Sequence, residues 1–218
     1  MQPYFIPYAG YFRLLAAADL FVIYDCVQFP RRGWVHRNCL PDANGRSRWL
    51  TLPLAKQDRD AKIGELAFRA DAAAALREAC AAFPVLRSRA FRASSFQRAF
   101  DDIAGQSPVG FIAGLLEQTA GLLGLPFRTV RSSTLDIDPG LAGQDRILAI
   151  ARAVGATTYL NAPGGRDLYR REAFVDNGIG LRFLPPWRGS PLSIVQELFT
   201  RDPADVAADI RQQATLEE

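Results

Sequence analysis

Lysine is almost missing from this chain. Of 26 basic residues only Lys56 and Lys62 are lysines, and the rest are arginines. Arginine offers a planar fork for carboxylate or phosphate, although a GC-rich genome would give the same bias without any function. The formal net charge of +3 is too small to establish nucleic-acid binding by itself. Histidine is reduced to His36, and the three cysteines, Cys26, Cys39 and Cys80, are odd in number and lack ligand spacing. That leaves no disulfide framework and no basis for a structural zinc site, so no metal is expected. No apolar run of about eighteen residues occurs, which argues against a membrane-spanning helix. No charged-then-apolar leader opens the chain, and a cytoplasmic location is expected. Internal repeats and low-complexity tracts are lacking too.

What is there is concentrated near the start. Prolines, a glycine and tyrosines crowd into Gln2-Pro3-Tyr4-Phe5-Ile6-Pro7-Tyr8-Ala9-Gly10-Tyr11-Phe12. Proline fixes φ and withholds a donor, and buried tyrosines need hydroxyl partners. The stretch reads either as an aromatic loop capping the core or as one wall of a ligand cleft. Apolar spacing predicts a short helix over 9–18. The apolar run Leu20 to Tyr24 predicts a strand of the kind buried on both faces of a parallel sheet. The turn cluster around Asn44-Gly45 predicts a hairpin between Trp34–Leu40 and Arg48–Leu54.

Residues 70–124 read as a helical block. Asp71 is placed to cap a helix that reaches Phe83 and ends at Pro84, and Ser107-Pro108 opens another that runs to Leu123. Further on, 127–132 suits a strand, 144–154 a helix closed by Gly155, and 157–160 and 179–184 strands. Two helices follow, over 193–199 and 204–212. This alternation predicts one α/β domain over 1–218, with a mostly parallel sheet flanked by helices and 70–124 as a helical insertion.

Three segments together resemble the WbqC-like family. They are Gln2-Pro3-Tyr4-Phe5-x-Pro7-Tyr8-x-Gly10-Tyr11-Phe12, then Phe21 to Gln28, then Arg32-Gly33-Trp34-x-x-Arg37-Asn38. The resemblance continues at Tyr159-Leu160-Asn161-x-Pro163-Gly164-Gly165-x-x-Leu168-Tyr169 and at Leu192-Ser193-Ile194-Val195. It implies a place in pathways that build surface polysaccharides, modified amino sugars or other small molecules. The role it implies is attachment of an acyl or aminoacyl group, such as glycyl, to an amine. Similar proteins usually carry an apolar strand before the Gln-Pro pair; here that strand is missing or lies upstream of Met1. Cys26 stands where similar proteins often have an acid beside Asp25, and Gln196 where an acid is common after the Ser-Ile pair.

The opening turn, helix and strand also resemble a degenerate nucleotidyltransferase-type (HUP-like) Rossmann-like fold. That group's Pro-x-His-x-Gly-His loop here reads Pro7-Tyr8-Ala9-Gly10-Tyr11, with tyrosine at both histidine places. Adenylyl transfer by that group's mechanism is therefore not expected from these residues, even with the fold shared.

In open parallel sheets, ligands bind beyond the carboxyl ends of strands. Asp25, Asn161 with Gly164-Gly165, the Tyr8-to-Tyr11 turn and the Arg31-to-Asn38 loop are expected to meet there. Amide formation needs a base for the attacking amine, and Asp25 or His36 could serve. Asp25 could instead hold Arg32 or Arg37. The N–H groups of Gly164 and Gly165 could stabilise an oxyanion or cradle a phosphate, or simply make a tight turn. Arg32 and Arg37 suit a phosphate or carboxylate. Trp34 and Tyr4 could stack on a sugar or base, and Gln2 and Gln28 could read a polar ligand. The family motif adds Asn38, Arg166 and Tyr169. Cys26 reads as a small hydrophobe or a nucleophile. Arg87, Arg89, Arg92 and Arg98, with aromatics between them, could meet the phosphates of an aminoacyl-tRNA donor or form a solvated face.

Three functions remain open: an acyl or aminoacyl transferase needing no cofactor, an ATP-dependent ligase or adenylyltransferase, and a non-catalytic module in a biosynthetic complex.

Overall fold

The computed structural model describes residues 1–216. The N-terminal segment runs into a 3-10 turn at Ala9–Phe12 and helix α1 (Arg13–Ala17), then strand β1 (Phe21–Ile23). Strands β2 (Arg37–Pro41) and β3 (Ser47–Thr51) form the expected antiparallel hairpin. Its turn is set by the Asp42 carboxylate, which accepts the N–H groups of Asn44 at 2.8 Å and Arg46 at 3.0 Å. Gly45 takes a φ of 74°, a geometry open to glycine at little cost.

The helical segment comprises α2 (Ala72–Cys80), α3 (Pro84–Arg87), α4 (Arg89–Arg92), α5 (Ser95–Asp101) and α6 (Pro108–Leu122). Ser88, Ser94 and Ser107 cap the last three by accepting N–H groups of Phe91, Gln97 and Gly110. Two boundary expectations are corrected here. Asp71 caps nothing, because its carboxylate is taken by the Arg69 guanidinium. Helix α2 stops at Cys80 rather than Phe83, and Pro84, lacking an N–H, opens α3.

Strand β4 (Thr129–Arg131) follows, then a 3-10 turn at Ser132–Thr134, helix α7 (Gly143–Ala153) and strand β5 (Thr158–Asn161). A 3-10 turn over Pro163–Leu168, helix α8 (Arg171–Val175), strand β6 (Gly180–Phe183), α9 (Ile194–Thr200) and α10 (Pro203–Gln212) complete the order. The protein is thus mixed α/β, with small sheets flanked by helices.

The single, mostly parallel sheet is not found. The described strands form three separate pairs: β1 with β4 and β5 with β6 parallel, and β2 with β3 antiparallel. One reason is visible where β1 ends. The Asp25 and Cys26 N–H groups bond to the Ser132 hydroxyl at 3.0 and 3.2 Å instead of a neighbouring carbonyl, so a side chain ends the ladder. The described residues do not make a Rossmann or HUP sheet.

The main core gathers β1, the hairpin and the helical segment around stacked phenylalanines. Phe5 lies 6.0 Å from Phe100 and 6.3 Å from Phe111, ring centre to ring centre. A second cluster joins α7, α8 and β6 through Ile147, Leu148, Phe174 and Leu181. Arg13 is buried without a carboxylate. Its guanidinium donates to the carbonyls of Gly10, Pro185 and Gln213, stitching the start of the chain to its last helix.

Candidate functional site

The carboxyl ends of β1 and β4 lie side by side, and the chain after each strand turns over the same point. Asp25 sits there with no exposed surface. One carboxylate oxygen accepts from the Ser132 hydroxyl at 3.1 Å and the Ser133 N–H at 2.9 Å. The other accepts from the Ser133 hydroxyl at 2.8 Å and from Nε and Nη2 of Arg131, each at 2.7 Å. Burial alone would push this carboxyl up. The bonds from Ser133 and Arg131 outweigh it and hold Asp25 below its ordinary value. A carboxylate so engaged is a poor proton acceptor and a good anchor. Gly64 closes over it: its N–H donates to the Asp25 carbonyl at 2.8 Å, and a β-carbon there would lie 3.3 Å from the carboxylate.

A cleft of about 340 Å³ opens beside this anchor, bounded by Cys26, Lys62, Glu65, Ser133, Asp138 and Arg146 among others. Arg146 comes from the first turns of α7. Its Nη1 donates to the Cys26 carbonyl at 3.0 Å and its Nη2 to the Pro139 carbonyl at 2.8 Å, while Nε is buried without a partner. The Cys26 sulfur is 4.0 Å from Nη1. Lys62 and Glu65 face each other at 4.0 Å on the rim. Cations and carboxylates therefore line one small space. Among the described residues no group of His, Cys, Asp and Glu is arranged to hold a metal ion.

Of the residues singled out from the sequence, only Asp25 lines this cleft. Arg37 turns back on its own loop, donating to the Gly33 and Arg32 carbonyls, and lies 4.2 Å over the Trp49 ring. Trp34 packs on Trp49 at 5.0 Å, and both remain substantially exposed. Asn38 is buried, its amide donating to the Phe5 and Ile6 carbonyls. Tyr11 is buried too, its hydroxyl donating to the Gln2 carbonyl at 2.8 Å and its ring 5.5 Å from Tyr4. Tyr8 pairs its backbone with Ser193, and Gln28 reaches the Arg59 carbonyl. The Tyr11 hydroxyl is thus spent inside the fold, where a nucleotide-binding loop would aim an imidazole at phosphate.

The Asn161 segment makes a site of its own kind. The Asn161 Oδ1 accepts the Ala162 N–H, and Gly165 packs so closely that an added β-carbon would come within 2.3 Å of Nδ2. The Gly165 N–H is given to the Ala162 carbonyl, so it is not free for an oxyanion or phosphate, whereas Gly164 is exposed. The Tyr169 hydroxyl meets that of Tyr159 at 3.3 Å, and Arg166 lies over Phe183. Arg87, Arg89, Arg92 and Arg98 are exposed on α3, α4 and α5. Arg131, Ser132, Ser133 and Arg146 were missed by sequence reading. The signal available was weak: an arginine-serine-serine run at the end of a strand.

His36 packs edge-on against Phe29 at 4.9 Å, with Nδ1 buried and unpaired. Burial, helped by the neighbouring Arg37, lowers its pKa to about 4, so it is neutral in the fold near pH 7. The unfolded chain takes up this proton near 6.5 and the folded chain only near 4, so stability falls as pH drops through that window. Replacing His36 with Gln is expected to flatten the fall between those limits, measured by urea unfolding at several pH values. An unchanged pH profile would refute the assignment.

A family model matches the chain over residues 2–191, with the description WbqC-like protein family. The chain belongs to this family. The match takes in both the anchor at Asp25 and the cleft-lining Arg146. The WbqC-like chain is also similar to an uncharacterized protein of Mycobacterium tuberculosis, Rv1507c, with 39% identity over 59 residues. That stretch is 27% of this chain and 25% of the relative, so the match spans about a quarter of the relative's length. No solved structure matches the chain. Among the described residues no helix is long and apolar enough to cross a membrane.

Proposed function

We propose that this WbqC-like protein transfers an acyl or aminoacyl group, such as glycyl, onto an amine of an amino sugar or other small metabolite, with an aminoacyl-tRNA as donor. The observation that carries the reading is the cleft at the ends of β1 and β4, where both signs of charge line one small space. Acyl transfer to an amine needs both. Negative charge develops on the carbonyl oxygen, and fixed donors such as Arg146 and the Ser133 turn are suited to it. The incoming amine arrives as an ammonium, and the Glu65 and Asp138 carboxylates can hold it until its proton leaves. Asp25 acts here as a positioning residue that keeps the Ser132-Ser133 turn in place.

The ATP-dependent alternative has less behind it, since the Tyr11 hydroxyl that would face phosphate is bound to the Gln2 carbonyl.

The test is direct. The protein is incubated with a panel of amines and charged glycyl-tRNA, with and without ATP, and the amide is sought by mass spectrometry. Amide formed without ATP, and lost after ribonuclease treatment, supports the reading. Release of pyrophosphate would favour a ligase, and ligand binding with no turnover would favour a binding module. Glu65→Gln is expected to raise KM for the amine about tenfold, as loss of one charged contact should.

A further inference from the structure

The largest cavity lies away from this cleft and shares no residue with it. It is a groove of about 620 Å³ between α2, α3, α4 and α5. Its floor is apolar: Leu76, Leu86, Phe91 and Phe100, with Cys80 and Ala81. Burial pushes the Cys80 thiol up to about 12, so it adds no charge to that floor. Its rim is cationic, with Arg77, Arg87 and Arg92 set against one acid, Asp101. Asp101 is already matched, by Arg77 at 3.6 Å and by the Gln97 amide at 3.0 Å. The Arg87 and Arg92 guanidinium groups are exposed and make no hydrogen bond or ion pair among the described residues.

Such a groove does not suit a nucleic-acid backbone. A phosphodiester chain would use a broad basic surface and gain nothing from a floor of leucine and phenylalanine. It would also engage Arg89 and Arg98, which do not line the groove. The volume falls in the range of about 300–1,000 Å³ that holds small molecules. A ligand matching both surfaces has a hydrocarbon body and one anionic end.

We propose that this groove binds a fatty acid, its chain lying over Leu76, Leu86, Phe91 and Phe100 and its carboxylate held by Arg87 and Arg92. Arginine holds a carboxylate through paired N–H donors, and the chain is held by the area it removes from water. The site is independent of the transfer reaction proposed above.

Laurate is titrated below its micelle concentration against the full chain carrying a bound dansyl-labelled fatty acid, with decanoate and dodecanol as comparisons. Saturable displacement is expected, strengthening about fourfold per added methylene. The double variant Arg87→Ala/Arg92→Ala should bind laurate about tenfold more weakly and dodecanol unchanged. Arg89→Ala/Arg98→Ala should leave laurate binding as it was. Ala81→Trp, at an exposed position on the wall, should abolish displacement while leaving the thermal midpoint in place. Absence of saturable displacement would overturn the proposal. So would equal losses for laurate and dodecanol in the double variant. Binding of a short RNA that weakens with all four arginines, without laurate binding, would overturn it in favour of a phosphodiester partner.

Discussion

Asp25→Asn should lower the unfolding free energy by about 3 kcal/mol, at the lower end for a buried ion pair that loses one partner. The carboxylate has no exposed surface and accepts from Arg131, Ser132 and Ser133. An amide keeps the shape but turns an NH₂ toward one set of these donors. Arg131 keeps 37% of its side chain exposed, so water takes part of its charge and limits the loss. For a chain of this length the thermal midpoint should drop about 6–12 °C. The pH dependence supplies the second check. The folded pKa lies below the ordinary 3.8, so Asp25 contributes its full stabilisation above that value and loses it as pH falls through the folded pKa. The gap between wild type and variant should therefore narrow in acid. A constant gap down to about pH 2, or no gap at neutral pH, would show that Asp25 is not the anchor. Loss of turnover with stability intact would return it to the part of a base.

Asn38→Ala should cost about 2–4 kcal/mol, because one buried amide serves two carbonyls. Its Nδ2 donates to Phe5 O at 3.0 Å and to Ile6 O at 2.9 Å, and its Oδ1 accepts the Cys39 N–H at 2.7 Å. Ile6 has a φ of 38°, a left-handed geometry costly for a β-branched residue. What holds it there is a clamp from two directions, since the Ser193 hydroxyl also donates to Ile6 O, at 2.7 Å. Ser193→Ala should thus couple to Asn38→Ala by more than about 0.5 kcal/mol in a double-mutant cycle by urea unfolding. Strict additivity would mean that the two do not share a task.

The clamp changes how the motifs are read. Gln2-to-Phe12, Arg37-Asn38 and Leu192-to-Val195 were expected to build a ligand cleft. The structure brings them together, but around a strained backbone: Ser193 N–H meets Cys39 O, and Ile194 N–H meets Pro7 O. Their polar side chains are largely spent on backbone carbonyls. A run of prolines and tyrosines signals a demanding backbone, and a buried clamp and a binding wall make the same demand on residue type. The Asn161 segment shows the same ambiguity. Its Gly165 is required because Asn161 leaves no room for a β-carbon.

Local chemistry was legible in the sequence wherever nearby residues settle it. The hairpin, the serine-capped helices, the short strand ending at Asp25 and the family itself all follow from spacing and turn residues a few positions apart. Pairings across long stretches of chain were not legible. Asp25 and Ser133 are separated by the hairpin and the helical segment, and Asn38, Ile6 and Ser193 meet from opposite ends of the chain. Nothing in a local pattern says which donors a buried carboxylate or carbonyl will find. Folding decides that, because a polar group withdrawn from water must be satisfied by whatever the closed chain brings alongside it. The sequence thus determined that Asp25 would stand at a strand end; only the tertiary structure made it an anchor beside a cleft.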